Sequence, residues 1–155
     1  MTWLPLFGTL LGAAIALSSA LLVERYRERR ENRAERRKTK HEVYARYLTA
    51  HADIRTQLRV LSVASSLTDE ERGYRAFTAY AVCYAPRYEL AVLAPRQVLT
   101  PARAFDRCAR ELRDLVIEGS NIHTQGGQRM QEYLDALKVV QTAMRTDLGA
   151  DEDTE

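Results

Sequence analysis

Three histidines, two cysteines and a row of tyrosines are the side chains of this chain best suited to chemistry. A zinc site needs three or four Cys, His or acidic ligands brought together, and a nucleophilic cysteine needs a histidine and an acid in reach. Cys83 and Cys108 are far apart and form no CxxC. Each falls in a helical, apolar setting, which predicts small buried hydrophobes in a reducing compartment. His41 is expected in solvent, and His123 lies in the loop GSNIHTQGG with no Cys, Asp or Glu beside it. That loop lacks the G-x-x-x-x-G-K-[ST] of a phosphate cradle. A di-metal bundle would need Glu-x-x-His pairs, and neither Glu42 nor Glu118 starts one.

His51 differs, because it falls in an apolar stripe among Tyr44, Tyr47 and Ile54. A histidine there is expected to be hydrogen-bonded inside the core, to one of the tyrosines. Tyr80, Tyr84 and Tyr88 recur every four residues along one helix edge. Packing at the core boundary accounts for them, and a patch for a partner helix is the alternative. No catalytic residue, metal ligand or cofactor site is therefore expected.

The elements that would position these groups begin with charge segregation. Residues 1–23 carry no charged side chain. Residues 24–42 carry nine Lys or Arg against five Glu, while the stretch from Asp147 to Glu155 has five acids and no base. The overall +2 hides this dipolar layout. Arg outnumbers Lys twenty to three, which fits a GC-rich genome better than selection for phosphate contacts.

The run WLPLFGTLLGAAIALSSALLV is long enough for a transmembrane helix, about 30 Å at roughly 1.5 Å per residue. A signal peptide would need a positive n-region and a cleavage site, and neither is evident. Arg25, Arg27, Arg29, Arg30, Arg33, Arg36 and Arg37 follow the run and no base precedes it. This predicts a single-pass protein of the cell membrane with its amino terminus outside and the rest cytoplasmic. Gly8, Gly12, Ala16 and Ala20 repeat every four residues, a spacing that lets two such helices pair into a homo-oligomer. The basic neck, interrupted by five Glu, suits a lipid bilayer surface better than nucleic acid.

Beyond the neck, Tyr44, Tyr47, His51, Ile54, Leu58, Leu61 and Ser65 form a heptad seam. TDEE, Thr68 to Glu71, has capping-box spacing and starts a second helix with the stripe Tyr74, Phe77, Ala81, Tyr84, Tyr88 and Ala91, with a kink or a short break near Ala85 caused by Pro86. Thr100 as cap and Pro101 at the first helical position open a third helix, with Phe105, Cys108, Leu112 and Leu115 inward. After the loop, Met130, Tyr133, Leu137, Val140 and Met144 mark a fourth, ending at Gly149.

The reading is all-α: an anchor over 1–23, a neck over 24–43, an antiparallel bundle of about four helices over 44–149 and a tail without fixed structure over 150–155. The stretches HEVYARYLTAHADI, YELAVLAPRQVLTPARAFDRCAREL and AMRTDLG, behind such a run and neck, resemble small single-pass actinobacterial proteins with a helical cytoplasmic domain. Pro86 and the Thr100-Pro101 break depart from that pattern. The resemblance implies the fold and the anchor, and no activity. The expected function is a membrane-anchored interaction protein that recruits a cytoplasmic partner. The alternative is a tethered sensor or enzyme with a pocket in the bundle, beside His51 and the tyrosines; a nucleic-acid tether ranks last.

Overall fold

The computed structural model describes the backbone of residues 3–124 and 126–150 and the side chains of 23–124 and 126–150. Five helices follow in order: α1 (Trp3–Val63), α2 (Asp69–Ala81), α3 (Tyr84–Leu93), α4 (Arg96–Ile117) and α5 (Gly127–Asp147). No strand occurs among the described residues. The chain divides into two compact units, Met1–Thr39 and Lys40–Glu155.

In the first unit every described side chain is exposed, including the arginines from Arg25 to Arg37. Arg27 Nε lies 2.9 Å from Glu31 Oε1, an ion pair at the expected i,i+4 spacing. The predicted membrane placement is corrected here. Among the described residues no helix is long and apolar enough to cross a membrane. In the part of α1 whose side chains are described, charge density forbids it, since between Val23 and His41 only Val23, Tyr26 and Ala34 are apolar. The expected single-pass topology, with its outer amino terminus and cytoplasmic bundle, therefore falls. The side chains of residues 3–22, with Gly8, Gly12, Ala16 and Ala20, lie outside the described residues.

The second unit is a helical bundle. Its stretch of α1 buries Val43, Tyr44, Tyr47, His51, Ile54, Leu58 and Leu61, the three-four spacing that keeps one face inward. Ser65 lies beyond the helix and is exposed. α4 is the hub, burying Val98, Ala102, Phe105, Asp106, Ala109, Leu112 and Val116, with its backbone closest to α5 and α2. α5 answers with Tyr133, Val140 and Met144. At its last residue, Asp147 accepts from Lys40 Nζ at 2.9 Å and from the Tyr44 hydroxyl at 2.6 Å, tying the end of α5 back to α1.

α2 starts as its sequence requires. Thr68 accepts from the Glu71 amide at 3.2 Å, and the Glu71 carboxylate accepts from the Thr68 amide at 3.2 Å. Its inward face differs from the expected one. Ala76, Ala79 and Tyr80 are buried, whereas Tyr74 and Phe77 are 74% and 54% exposed. The two alanines let the α2 backbone come close to α4, a contact that aromatic side chains would hold apart.

The helix breaks at Val82–Cys83, and Pro86 falls in the first turn of α3, where its missing N–H costs little. α4 begins at Arg96, with Pro95 at the N-cap position and no side-chain cap, one turn earlier than expected. Thr100 is no cap; its hydroxyl donates to the Arg96 carbonyl at 3.1 Å. Pro101 is accommodated inside the helix because the carbonyl it leaves without a donor belongs to Gln97, on the solvent side. Gly119, at φ +81°, takes the left-handed conformation that lets the chain leave α4.

Thr68→Ala removes one half of the reciprocal cap and is expected to lower unfolding free energy by about 1 kcal/mol. Urea denaturation measures it, and a change below about 0.3 kcal/mol would show that the cap contributes little.

Candidate functional site: a buried carboxylate and its pocket

One acidic side chain interrupts the apolar stripe of α4. Asp106 is 5% exposed and lies on the inward face, between Ala102 and Ala109. An ionised carboxylate taken from water costs several kcal/mol unless charges and donors surround it. Three helices supply them. Tyr47 of α1 donates its hydroxyl to Asp106 Oδ1 at 2.8 Å, and the Ala102 carbonyl stands 3.2 Å from the same hydroxyl oxygen. His51, one turn further along α1, places Nε2 at 3.0 Å from Oδ1. Arg87 of α3 brings Nε to 2.8 Å from Oδ2 as an ion pair.

The electrostatics follow from these contacts. Burial pushes the Asp106 carboxyl up, but His51, Tyr47 and the Arg87 guanidinium outweigh it and hold the group below its ordinary range. Burial first, then the Asp106 charge and hydrogen bond, raise Tyr47 far above a normal phenol, so it remains a donor. Burial lowers Arg87, yet the Asp106 charge raises it further, and it stays a cation. Cys83, beside Arg87 and fully buried, has its thiol pushed up by desolvation, the opposite of an activated nucleophile.

His51 is 1% exposed. Its ring sits 4.6 Å from both the Tyr47 and Phe105 rings, and Phe105 lies 4.8 Å from Tyr133. The approach to Asp106 is out of line with the ring N–H, so neither ring nitrogen has an aligned hydrogen bond among the described residues. Tyr133 donates to the His51 carbonyl at 3.2 Å, and burial pushes its hydroxyl up to about 12. The expectation of a core histidine beside tyrosines matches its burial, but the hydrogen bond expected from its ring to a tyrosine is absent, and its closest polar neighbour is the carboxylate.

A pocket of about 190 Å³ opens against Asp106 between α3 and α4, walled by Tyr84, Arg87, Tyr88, Leu99 and Arg103. The tyrosine row divides there. Tyr80 is buried, its hydroxyl 3.4 Å from the Asp106 carbonyl and its ring under the Arg113 guanidinium at 4.7 Å. Tyr84 and Tyr88, 38% and 73% exposed, line the pocket. Tyr80 thus takes the core packing expected of the row and drops out of the alternative, the partner patch. His41 and His123 are exposed, and Cys108 is half-buried, away from the carboxylate's contacts.

A second concavity, about 460 Å³, lies between α1 and α2, with Val60, Leu61, Tyr74, Ala79 and Val82 as its apolar wall and Arg75 as its charged residue. Among the described residues no three His, Cys, Asp or Glu gather as a metal site.

Asp106 and Arg87 escaped the sequence reading. The signal for the first was present: Ala102, Asp106 and Ala109 follow the four-three step of an inward stripe, and an acid on such a stripe must have a partner. Nothing local marks Arg87, whose role depends on the turn at Cys83. No family model, curated protein or solved structure matches this chain, and none of these comparisons bears on the actinobacterial resemblance.

Because the folded state holds Asp106 ionised more easily than the unfolded chain does, its contribution is present above the unfolded carboxylate pKa of about 3.9 and lost as the pH falls below it. Asp106→Asn is expected to cost about 3 kcal/mol at pH 7, the low end for breaking a buried pair because Arg87 is part-exposed. It should also flatten the acid limb of stability against pH. Equal acid limbs in the two proteins would contradict the assignment.

Proposed function

We propose that this chain is a helical interaction module that seats an amphipathic helix of another protein in the trough between α1 and α2. One observation carries the reading. Val60, Tyr74 and Val82, at 62%, 74% and 52% exposed, surround a concavity that the chain leaves open. Single exposed apolar residues are ordinary, but a contiguous group around a trough marks a surface suited to a partner.

The chemistry of the trough describes that partner. Two helices form its sides, so its long direction suits a helix laid against them, with anchors at i, i+3 or i+4 and i+7. Thr56, Gln57 and Thr78 offer polar edges, Arg75 is the charged residue, and no acid lines the surface. An incoming helix with an apolar stripe and acidic residues at its flank satisfies both features. Affinity would come from the apolar anchors, and the Arg75 side would favour acidic partners and speed their approach. The module needs no reaction and no cofactor.

Selection from a displayed library of helical peptides tests this reading. The expected winners are amphipathic, acidic-flanked helices, with binding lost in Val60→Asp/Val82→Asp at unchanged melting temperature. Winners that bind the double variant equally well, or a library that yields none, would overturn the assignment.

A further inference from the structure

The pocket between α3 and α4 has a chemistry distinct from the trough, and its charge balance identifies what it would accept. Three charged residues line it: Arg87, Arg103 and Asp106. Asp106 is already engaged, one oxygen facing Tyr47 and His51 and the other facing Arg87. Both of its oxygens therefore already face a donor or a cation, and as an acceptor it offers no bond to a ligand that is itself an anion. Arg87 is different, since a guanidinium has five N–H donors and a single carboxylate oxygen faces its Nε. The Asp106 pair fixes its orientation, and its side chain is 28% exposed. Arg103 makes no hydrogen bond or ion pair among the described residues and lines the same wall.

The rest of the wall is apolar or aromatic: Tyr84, Tyr88, Leu90, Ala91, Leu99 and Ala102. Tyr84 is braced edge-on against buried Tyr80 at 5.9 Å, and the Arg87 guanidinium lies 5.9 Å from its centroid. The cavity therefore pairs a two-arginine cationic end with a flat greasy wall. At about 190 Å³ it is smaller than the roughly 300–1,000 Å³ of drug-sized sites. It has room for about six waters at about 30 Å³ each, or for one ring bearing a small anionic group.

We infer that this pocket is a binding site for a small organic carboxylate with a planar, apolar body, held by Arg87 and Arg103 and stacked on Tyr84 and Tyr88. Arginine suits this anion because its planar fork meets a carboxylate through two parallel bonds. Desolvating the carboxylate is offset by a cation whose position Asp106 has already set. A neutral ring of the same shape would fill the wall and leave the guanidinium donors unsatisfied. Inorganic phosphate would meet the arginines and leave the apolar wall wet. Asp106 acts here as a positioning residue, because it orients Arg87 and gives up no lone pair to the ligand.

Isothermal titration of the full chain tests the inference, with benzoate as the probe and benzyl alcohol and inorganic phosphate as comparisons. Benzoate is expected to bind saturably at one site, at least about tenfold more tightly than either comparison, the scale of one charge-assisted bond. Arg103→Gln should weaken benzoate at least about tenfold with no change in melting temperature, because that side chain has no structural partner. Ala91→Phe, which fills the wall from the exposed side of α3, should abolish binding. The inference is overturned by an absence of saturable benzoate binding, by phosphate or benzyl alcohol binding as tightly as benzoate, or by undiminished affinity in both variants.

Discussion

A single buried carboxylate sets the terms for the second unit. Asp106 sits inside the bundle, where an ion without partners would cost several kcal/mol, a large fraction of a domain's net stability. Its contacts come from α1, through Tyr47 and His51, and from α3, through Arg87, while the aspartate belongs to α4. A helix cannot slide one residue past its neighbour without carrying its donor away from that oxygen. Apolar stripes tolerate slippage because one methyl resembles another, whereas a donor at 2.8 Å does not. The carboxylate therefore fixes register, and the aromatic layer of Tyr47, His51, Phe105 and Tyr133 packs around it.

The same constraint bears on function. Arg87 is an anchored cation, one side on Asp106 and the other at the wall of the small pocket. A guanidinium fixed in this way loses little freedom when an anion arrives, which is how binding gains strength without more contacts. The trough between α1 and α2 works on other physics. There the fold leaves Val60, Tyr74 and Val82 in water, and covering them would drive the binding of the proposed helix.

Much of the second unit was legible in the sequence. The heptad from Tyr44 to Leu61, the capping box at Thr68 and the stripe of α5 rely on local periodicity and capping chemistry, which the chain carries in full. The inward face of α2 was not legible, since large aromatics usually mark a core and here the small Ala76 and Ala79 face it instead. That choice belongs to α4, which packs close at Ala76 and Ala79 and leaves room for one large side chain, Tyr80. The start of α4 was misplaced because Pro101 reads as an N1 residue, although a proline whose lost bond points to solvent also fits inside a helix. Asp106 and Arg87 show the same limit. Each is unremarkable in its own segment, and the pair exists only after α3 turns back onto α4. At the amino-terminal end, apolar length and flanking charge suggested a membrane span. The described residues contain no helix that could be one.

A double-mutant cycle between Tyr47→Phe and Arg87→Gln tests the central claim most directly. The two side chains sit on different helices and are linked through the Asp106 carboxylate. If that carboxylate joins the helices, the two losses measured by urea denaturation at pH 7 should be non-additive by about 1 kcal/mol or more. Additivity within about 0.3 kcal/mol would contradict the account, since it would mean that α1 and α3 contact Asp106 without acting through it.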